Sequence, residues 1–210
     1  MLTQTSKQNS WNAPIDPAAS AFAAVKSRQK QTWESGDYGR IARHVEAVAG
    51  EFMARLPLRP GLRVLDLACG TGNLAVLAAT AGCAVTGVDI ADNLLAQARS
   101  RAAAAKLSVE FQQADAEALP FADATFDWTV SMFGIMFTPR PELAAGELRR
   151  VTKPGGRIAL ANWTPEGFIG KMFRVIKTHR RLPLPPLPRS NGAASLSSAN
   201  GSSRASPICV

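Results

Sequence analysis

The amino-acid sequence predicts an α/β protein with a doubly wound, mostly parallel sheet. From residue 63 onward, five short segments rich in aliphatic residues alternate with helical segments or crossover loops. Runs of this kind are typical of strands that are buried on both faces of a parallel sheet. Parallel strands need crossover connections, and the intervening segments supply them. A turn with two glycines directly follows the first run, at the edge where such sheets bind their ligands.

The predicted strands and helices follow one another in order along residues 63–179. The strands are "RVLDLA", "AVTGVDI", "SVEFQQA", "FDWTVSMFG" and "GRIALANW". The helices cover residues 72–81, 92–105, 141–151 and 167–179, and Asp92 stands near the N-terminus of the second, where a carboxylate can cap it. The turn "KPGG" precedes the fifth strand.

Helical segments are also predicted before the first strand. The stretch "GRIARHVEAVAGEFMARL" has apolar residues at steps of three and four, which predicts one amphipathic helix with a stripe formed by Ile41, Val45, Val48, Phe52 and Leu56. Pro57 and Pro60 end this helix.

The net charge of +8 invites a nucleic-acid hypothesis, but its distribution does not favour one. No acidic residue occurs after residue 170, whereas seven basic residues do: Lys171, Arg174, Lys177, Arg180, Arg181, Arg189 and Arg204. Residues 1–170 are therefore nearly neutral, and we expect no basic groove on the folded part.

Membrane and metal functions are not indicated either. No apolar run approaches the roughly 20 residues that span a bilayer, and the N-terminus resembles no signal peptide, so we expect a cytoplasmic protein. The three cysteines, Cys69, Cys83 and Cys209, are widely spaced and form no CxxC pair. With only two histidines in the chain, no metal site is predicted.

The turn after the first strand is a candidate ligand-binding loop. Gly70 and Gly72 allow the backbone to turn tightly and to approach a ligand, while the next helix directs free amide groups at it. On its own, the GxGxxA pattern of Gly70, Gly72 and Ala75 leaves other cofactors, or a plain strand-to-helix turn, open.

Three carboxylates near the ends of consecutive strands narrow the choice. Asp66 precedes the loop, where it favours a ligand with an ammonium or sulfonium group rather than a pyrophosphate. Asp89 ends the second strand, where a carboxylate can accept both ribose hydroxyls. Asp115 follows the third strand and could accept from an adenine amine. Together they predict a pocket for an adenosine that carries a positively charged amino-acid group.

With these residues, the chain resembles the class I S-adenosylmethionine-dependent methyltransferases, in particular the small-molecule branch with the ubiquinone and menaquinone biosynthesis enzymes. The similarity covers roughly residues 33–176. It depends on the order and spacing of "VLDLACGTGNLA", "VTGVDIADNLLAQAR", "QQADAEALPFADATFDWTVSMFGIMF" and "ELRRVTKPGGRIALANW".

The resemblance implies a Rossmann-like fold, the cofactor S-adenosyl-L-methionine and a set of binding residues. The methionine part would be surrounded by Asp66, Ala68, Gly70 and Gly72. Asp89 would bind the ribose, and the adenine would be contacted by Ile90, Leu94, Asp115 and Ala116. Ser131 would close the site, and Tyr38 would cover the cofactor from the N-terminal side.

The implied reaction is methyl transfer to a small-molecule acceptor, for which no catalytic residue is predicted. The sulfonium methyl is already activated, so in-line displacement needs positioning and shielding from water, and a base is optional. His44 is either such a base or an ordinary solvated histidine. An apolar or aromatic acceptor could contact Met132, Phe133, Met136 and Phe137, which could equally be core residues. No NPPY-type element is present, which further disfavours nucleic acids.

The predicted organisation has four parts. Residues 1–14 would be disordered, 15–60 would form a helical lid, 61–179 the cofactor-binding α/β domain, and 180–210 a disordered tail rich in proline, serine and alanine. Nothing after His179 reads as a strand, so the C-terminal hairpin of the resembled family would be missing, as in a truncated or frameshifted chain. The fifth strand would then be an exposed edge that favours self-association.

Two alternatives remain at this stage. One is a nicotinamide-dependent oxidoreductase, against which Asp66 argues. The other is an inactive methyltransferase relic with an interaction role, for which Arg180, Pro183 and Pro186 supply an RxxPxxP pattern of the kind that SH3 domains bind. In a tail of this composition, that pattern is expected by chance.

Overall fold

The computed structural model describes residues 17–179 and the pair Ile208–Cys209. Its seven helices are α1 (Pro17–Glu34), α2 (Tyr38–His44), α3 (Glu46–Ala54), α4 (Asn73–Thr80), α5 (Asp92–Ala104), α6 (Pro141–Val151) and α7 (Phe168–His179). Its strands are β1 (Arg63–Leu67), β2 (Ala84–Asp89), β3 (Val109–Gln113), β4 (Phe126–Met132), β5 (Thr152–Ala161) and β6 (Ile208–Cys209). A short 3-10 turn, Ile135–Phe137, follows β4.

The sheet has the order β3-β2-β1-β4-β5-β6, and all of its strand pairs are parallel. Strands β2 and β3 are added on one side of β1, and β4, β5 and β6 on the other side. This change of side between β1 and β4 makes the sheet doubly wound. The predicted fold class and its five long strands are therefore confirmed. The central position of β1 places its carboxyl end between those of β2 and β4.

Two apolar layers cover the two faces of the sheet. On one face, Val64 and Val85 pack with residues of α3, α4 and α5. On the other face, Leu65 and Leu67 pack with Leu148 of α6. Neighbouring residues of β1 thus point to opposite layers, and both are buried, which explains why its sequence is mostly aliphatic apart from Arg63 and Asp66.

The predicted helix over residues 39–56 is wrong in its continuity. The backbone leaves the helical conformation at Val45 (φ −106°, ψ 7°), which separates α2 from α3. Ile41 and Val48, predicted in the apolar stripe, are 58% and 40% exposed, whereas Ala42 and Ala49 are buried. Because of the break, α2 and α3 are oriented independently and each buries its own face. The single stripe across both helices therefore does not form.

The glycines of "KPGG" form an irregularity within β5 instead of a turn before it. Phe126 pairs with Thr152, but Trp128 pairs with Arg157, so β5 advances by five residues where β4 advances by two. This bulge lies at the opposite edge of the sheet from the carboxyl ends of the strands.

Beyond His179 the described residues comprise one short strand. Ile208 and Cys209 run parallel to β5 opposite Ala159 and Leu160, so the expectation that no strand follows His179 is wrong for these two residues. The predicted disorder of residues 1–14 and of the rest of the tail, and the RxxPxxP pattern, lie outside the described residues. Within the described part, no helix combines the length and apolarity needed to cross a membrane.

Candidate ligand-binding site

A cavity opens where β1, β2 and β4 end and is covered by residues of α1 and α2. The strand ends contribute Asp66, Asp89 and Met132 to its wall. The loops beyond the strands add backbone and side chains, and the N-terminal helices supply Lys26, Gln29, Trp33, Tyr38 and Ala42. This is the edge at which an open parallel sheet binds ligands.

The loop after β1 has an unusual backbone. Gly70 and Gly72 have φ angles of 52° and 80°, in the left-handed region that favours glycine. A β-carbon at Gly72 would also lie 3.2 Å from Ala98 and 3.3 Å from Phe111, so a larger residue would require these neighbours to shift slightly. Next to Gly70, by contrast, there is open space, and Gly70 borders the cavity.

Asp66 is buried between this loop and α4. One of its carboxylate oxygens, Oδ2, accepts a hydrogen bond of 2.9 Å from the backbone N–H of Ala75, in the first turn of α4. Burial, opposed by this hydrogen bond and supported by the nearby charge of Asp89, raises the pKa of Asp66 to about 8. Near neutral pH the carboxyl group can therefore hold a proton, which it would release in favour of a cation.

Asp89 holds the loop in place from the end of β2. Its Oδ2 accepts a hydrogen bond from Gly70 N at 2.8 Å, and its Oδ1 accepts one from Ala91 N at 2.9 Å. Burial raises the pKa of this carboxyl group as well. Each oxygen of a carboxylate can accept two hydrogen bonds, so Asp89 retains acceptor capacity for the hydroxyls of a ligand.

Asp115 lies at the rim of the cavity and contacts α1. Its Oδ2 is 2.5 Å from Lys26 Nζ, and its Oδ1 accepts a hydrogen bond from Glu117 N at 2.9 Å. Tyr38, from α2, lies near Asp89, and burial together with the charge of Asp89 raises the pKa of its phenol.

Aromatic and apolar side chains form the side of the cavity that follows β4. The ring of Phe133 is stacked on that of Trp163, with the ring centroids 3.8 Å apart and 7° between the ring planes. The ring of Phe137 lies 5.2 Å from Trp33 and 6.1 Å from Phe173. Of the four residues considered for an acceptor pocket, Met132, Phe133 and Phe137 border the cavity, whereas Met136 does not.

Nine of the eleven residues that the sequence predicts for cofactor binding border this one cavity. They are Asp66, Ala68, Gly70, Asp89, Ile90, Leu94, Asp115, Ala116 and Tyr38. Gly72 and Ser131 do not border it. Gly72 is the N-cap of α4, and the hydroxyl oxygen of Ser131 accepts a hydrogen bond from Ile135 N at 3.3 Å, which fixes the turn after β4.

His44 stands apart from the cavity. It is exposed, and its Nδ1 lies 2.8 Å from the carbonyl oxygen of Arg40 in the preceding turn of α2. No group of three or more potential metal ligands occurs among the described residues.

A helical lid was predicted over residues 15–60, but the side chains through which α1 borders the cavity were not. Lys26 and Gln29 both border it, although "PAASAFAAVKSRQKQTWE" carries no clear apolar stripe that would fix which face of the helix turns inward. A long-range pair such as Lys26 and Asp115 leaves no local pattern in the sequence, so only the three-dimensional arrangement reveals it.

Comparison with known proteins agrees with this geometry. Residues 64–156 match a family model described as a methyltransferase domain. This match supports a class I S-adenosylmethionine-dependent methyltransferase domain in this part of the chain. The match begins within β1 and ends within β5, so this domain includes the glycine-containing loop and all three cavity carboxylates.

Relatives of the methyltransferase domain are found among curated proteins and solved structures. An uncharacterised protein of Mycobacterium tuberculosis is 44% identical over 158 residues, covering 75% of this chain and 58% of the relative. A demethylmenaquinone methyltransferase of Thermus thermophilus is 44% identical over 117 residues, covering 54% and 53%. The crystal structure of a putative methyltransferase from Bacillus halodurans C-125 has a TM-score of 0.57 at 27% identity, covering 66% and 62%. The chain thus spans between half and about three fifths of the length of these relatives.

Proposed function

We propose that the protein binds S-adenosylmethionine in the cavity and transfers its methyl group to a small apolar or aromatic acceptor. The observation that carries this proposal is that Asp66 and Asp89 border the same cavity as Gly70, whose backbone N–H donates to Asp89. These groups fit a ligand that combines a ribose with positively charged groups.

The chemistry of the cavity residues fits this cofactor. Asp66 and the loop of Ala68 and Gly70 would hold its amino-acid part, because a buried carboxylate favours an ammonium or a sulfonium nearby. Asp89 would accept from the ribose hydroxyls, and Gly72 would shape the loop. The adenine would lie against Ile90, Leu94, Asp115 and Ala116, Tyr38 would cover the cofactor, and Ser131 would support the turn that closes the site.

The bound cofactor supplies a methyl group that is already activated for displacement, so the remaining task is to position an acceptor and exclude water. The helices α1 and α2 lie over the cavity and restrict the access of water. Among the described residues, no histidine borders the cavity, and we propose no catalytic base. In-line transfer requires an acceptor held against the cofactor, and the wall that follows β4 provides a surface for this.

The wall beyond β4 favours an apolar or aromatic acceptor. Met132, Phe133 and Phe137 border the cavity there, and the aromatic rings offer flat faces for stacking. The Thermus relative is named as a demethylmenaquinone methyltransferase, and an acceptor of the same class would be consistent with this wall.

Titration calorimetry with S-adenosylhomocysteine tests the cofactor proposal. We expect micromolar binding to the unmodified protein, with a 1:1 ratio, and a loss of affinity of at least about tenfold in Asp89→Ala, since charge-assisted hydrogen bonds contribute roughly 1.5–3 kcal/mol. Asp123→Ala serves as the control, because this exposed carboxylate lies outside the cavity wall. Thermal unfolding of each variant checks that it is folded.

A parallel titration with NADH distinguishes the oxidoreductase alternative. Binding of NADH without binding of S-adenosylhomocysteine would overturn the methyltransferase proposal. Binding of S-adenosylhomocysteine, together with no transfer of labelled methyl from S-adenosylmethionine to any of a panel of quinols, catechols and phenols, would favour the inactive relic.

Self-association through the edge of the sheet is part of the same proposal. Among the described residues, β6 covers β5 only at Ala159 and Leu160, which leaves the rest of that strand without a neighbour on this side. Unpaired strand edges favour pairing with another chain. Sedimentation velocity at increasing protein concentration measures this, and a single monomeric species throughout would contradict it.

A further inference from the structure

The ammonium group of Lys26 lies between two carboxylates at the rim of the cavity. Its Nζ atom is 2.5 Å from Asp115 Oδ2 and 2.5 Å from Glu117 Oε2. The side chain of Lys26 is only 16% exposed, and that of Glu117 is fully buried. The contact joins α1 to the segment after β3 across 89 residues of sequence.

The two carboxylates are themselves held firmly. Glu117 accepts hydrogen bonds from the backbone N–H of Arg140 at 2.8 Å and from its Nε at 2.7 Å. The backbone N–H of Glu117 in turn donates to Asp115 Oδ1. Lys26 therefore meets acceptors whose positions are fixed by the α/β domain, and the geometry of the pair does not depend on α1.

The other contacts of α1 with the domain involve polar and aromatic side chains, none of which is buried. Gln29 donates to the carbonyl oxygen of Phe137 at 2.7 Å, and Lys30 lies 3.1 Å from Asp92. From residue 21 to residue 34, no residue of the helix is buried. A helix attached in this way separates from its domain more easily than one that contributes to the core.

Part of the cavity wall belongs to α1, through Lys26, Gln29 and Trp33, so separation of α1 from the domain would open the cavity. We infer that Lys26 is a positioning residue that latches α1 over the occupied cavity through Asp115 and Glu117, and so sets how fast the ligand leaves. The inference relies on the proposed function only for the identity of the ligand.

The latch and an adenine can use Asp115 at the same time. A carboxylate offers about four acceptor positions, and the hydrogen bonds from Lys26 and Glu117 occupy two of them. An adenine amine that donates to Asp115 would therefore not displace Lys26. Lys26 can therefore hold α1 closed over the bound ligand, and it does not compete with the ligand for Asp115.

Three variants test the latch. Lys26→Met removes the ammonium group, Lys26→Arg keeps a cation, and Arg28→Met removes an exposed charge from the same helix that has no side-chain partner in the part of the chain described. The first readout is hydrogen exchange of residues 21–34 in the protein without ligand. The second is the dissociation rate of S-adenosylhomocysteine in a stopped-flow displacement experiment.

We expect Lys26→Met to speed both amide exchange in α1 and ligand dissociation by about tenfold, because partly buried, charge-assisted contacts exceed exposed ones in strength. In Lys26→Arg both rates should stay within about threefold of those of the unmodified protein, since the guanidinium keeps the charge. Arg28→Met should match the unmodified protein. Equal rates in Lys26→Met and Arg28→Met would overturn the latch.

The two readouts separate this inference from the proposed function. If the unmodified protein does not bind S-adenosylhomocysteine, the cofactor proposal fails, while the exchange of α1 still tests the latch. If Lys26→Met does not fold, Asp115→Asn replaces it in the exchange experiment, because it weakens one of the two contacts and leaves Glu117 paired. Unchanged exchange of α1 in Asp115→Asn would then overturn the latch.

Discussion

Gly134, after β4, packs directly against Ala68, after β1. A β-carbon at Gly134 would lie 2.9 Å from the carbonyl oxygen of Ala68 and would overlap its methyl group. Ala68 itself has a φ angle of 56°, which is strained for any residue with a side chain. The two loops that border the cavity therefore depend on each other's shape.

Substitutions at Ala68 and Gly134 should change the free energy of unfolding in opposite directions, and their effects should not be additive. Ala68→Gly should raise the free energy of unfolding by roughly 0.5–1 kcal/mol, because relief of left-handed strain exceeds the added freedom of the unfolded chain. Gly134→Ala should lower it by about 1–3 kcal/mol through overpacking. Urea unfolding of both variants and of the double variant measures this. Strict additivity would show that the two loops do not constrain each other.

The stability of the protein should decrease as the pH rises from 5 to 8, with a contribution from Asp66. Its folded pKa is raised to about 8, chiefly by burial, so the folded state keeps a proton that the unfolded state loses above its ordinary pKa. Between these values the free energy of unfolding falls, by at most about 1.4 kcal/mol per pH unit. Asp66→Asn should flatten this dependence in urea unfolding experiments.

Asp127→Asn provides the matched control for this pH dependence. The hydrogen bond from Lys153 lowers the pKa of Asp127, so its contribution is present at neutral pH and is lost only as the pH falls through the acidic range. The slope between pH 5 and 8 should thus remain unchanged in Asp127→Asn. A similar flattening in both variants would contradict the role assigned to Asp66.

The stacked pair of Phe133 and Trp163 should stabilise the loop after β4. Phe133 has a φ angle of 60°, which is uncommon for a large side chain, and its backbone N–H donates to Ala161 O at 2.8 Å. Trp163→Ala should lower the free energy of unfolding by about 1–2 kcal/mol, because the stack offsets this strain. Trp163→Phe, which keeps an aromatic partner, should lose less than half of that amount. Thermal unfolding and near-ultraviolet circular dichroism provide the comparison.

Arg150 organises the segment between β3 and β4. Its guanidinium group donates to both carboxylate oxygens of Glu147, to Asp123, and to the carbonyl oxygens of Leu119 and Phe121. The ammonium group of a lysine cannot reproduce this fork of donors. Arg150→Lys should therefore lower the free energy of unfolding by about 1–2 kcal/mol.

Arg149→Lys is the control for Arg150→Lys, since the neighbouring Arg149 is exposed and its side chain makes no hydrogen bond or ion pair with the described residues. It should leave the urea midpoint unchanged. Equal midpoints for the two lysine variants would mean that the fork of Arg150 does not hold the segment.

Strand β1 was predictable because it is buried on both faces after its first residue, which leaves a short run rich in aliphatic residues. The carboxylates Asp66, Asp89 and Asp115 were predictable as neighbours, because the ends of parallel strands meet at one edge of the sheet. The break at Val45 was not predictable, since a valine does not interrupt a helix by its own preference. Tertiary packing of Ala42 and Ala49 determines it, and the same is true of the contact between Lys26 and Asp115.

That contact also has a consequence for how the protein is made. At about 5–20 residues per second, a ribosome needs roughly 5–20 seconds to add the 89 residues that separate Lys26 from Asp115. Throughout that interval α1 has left the ribosome without the partner it will bind. A helix without a continuous apolar face can stay exposed to water without associating with other nascent chains. The polar character of α1 is suited to this delay.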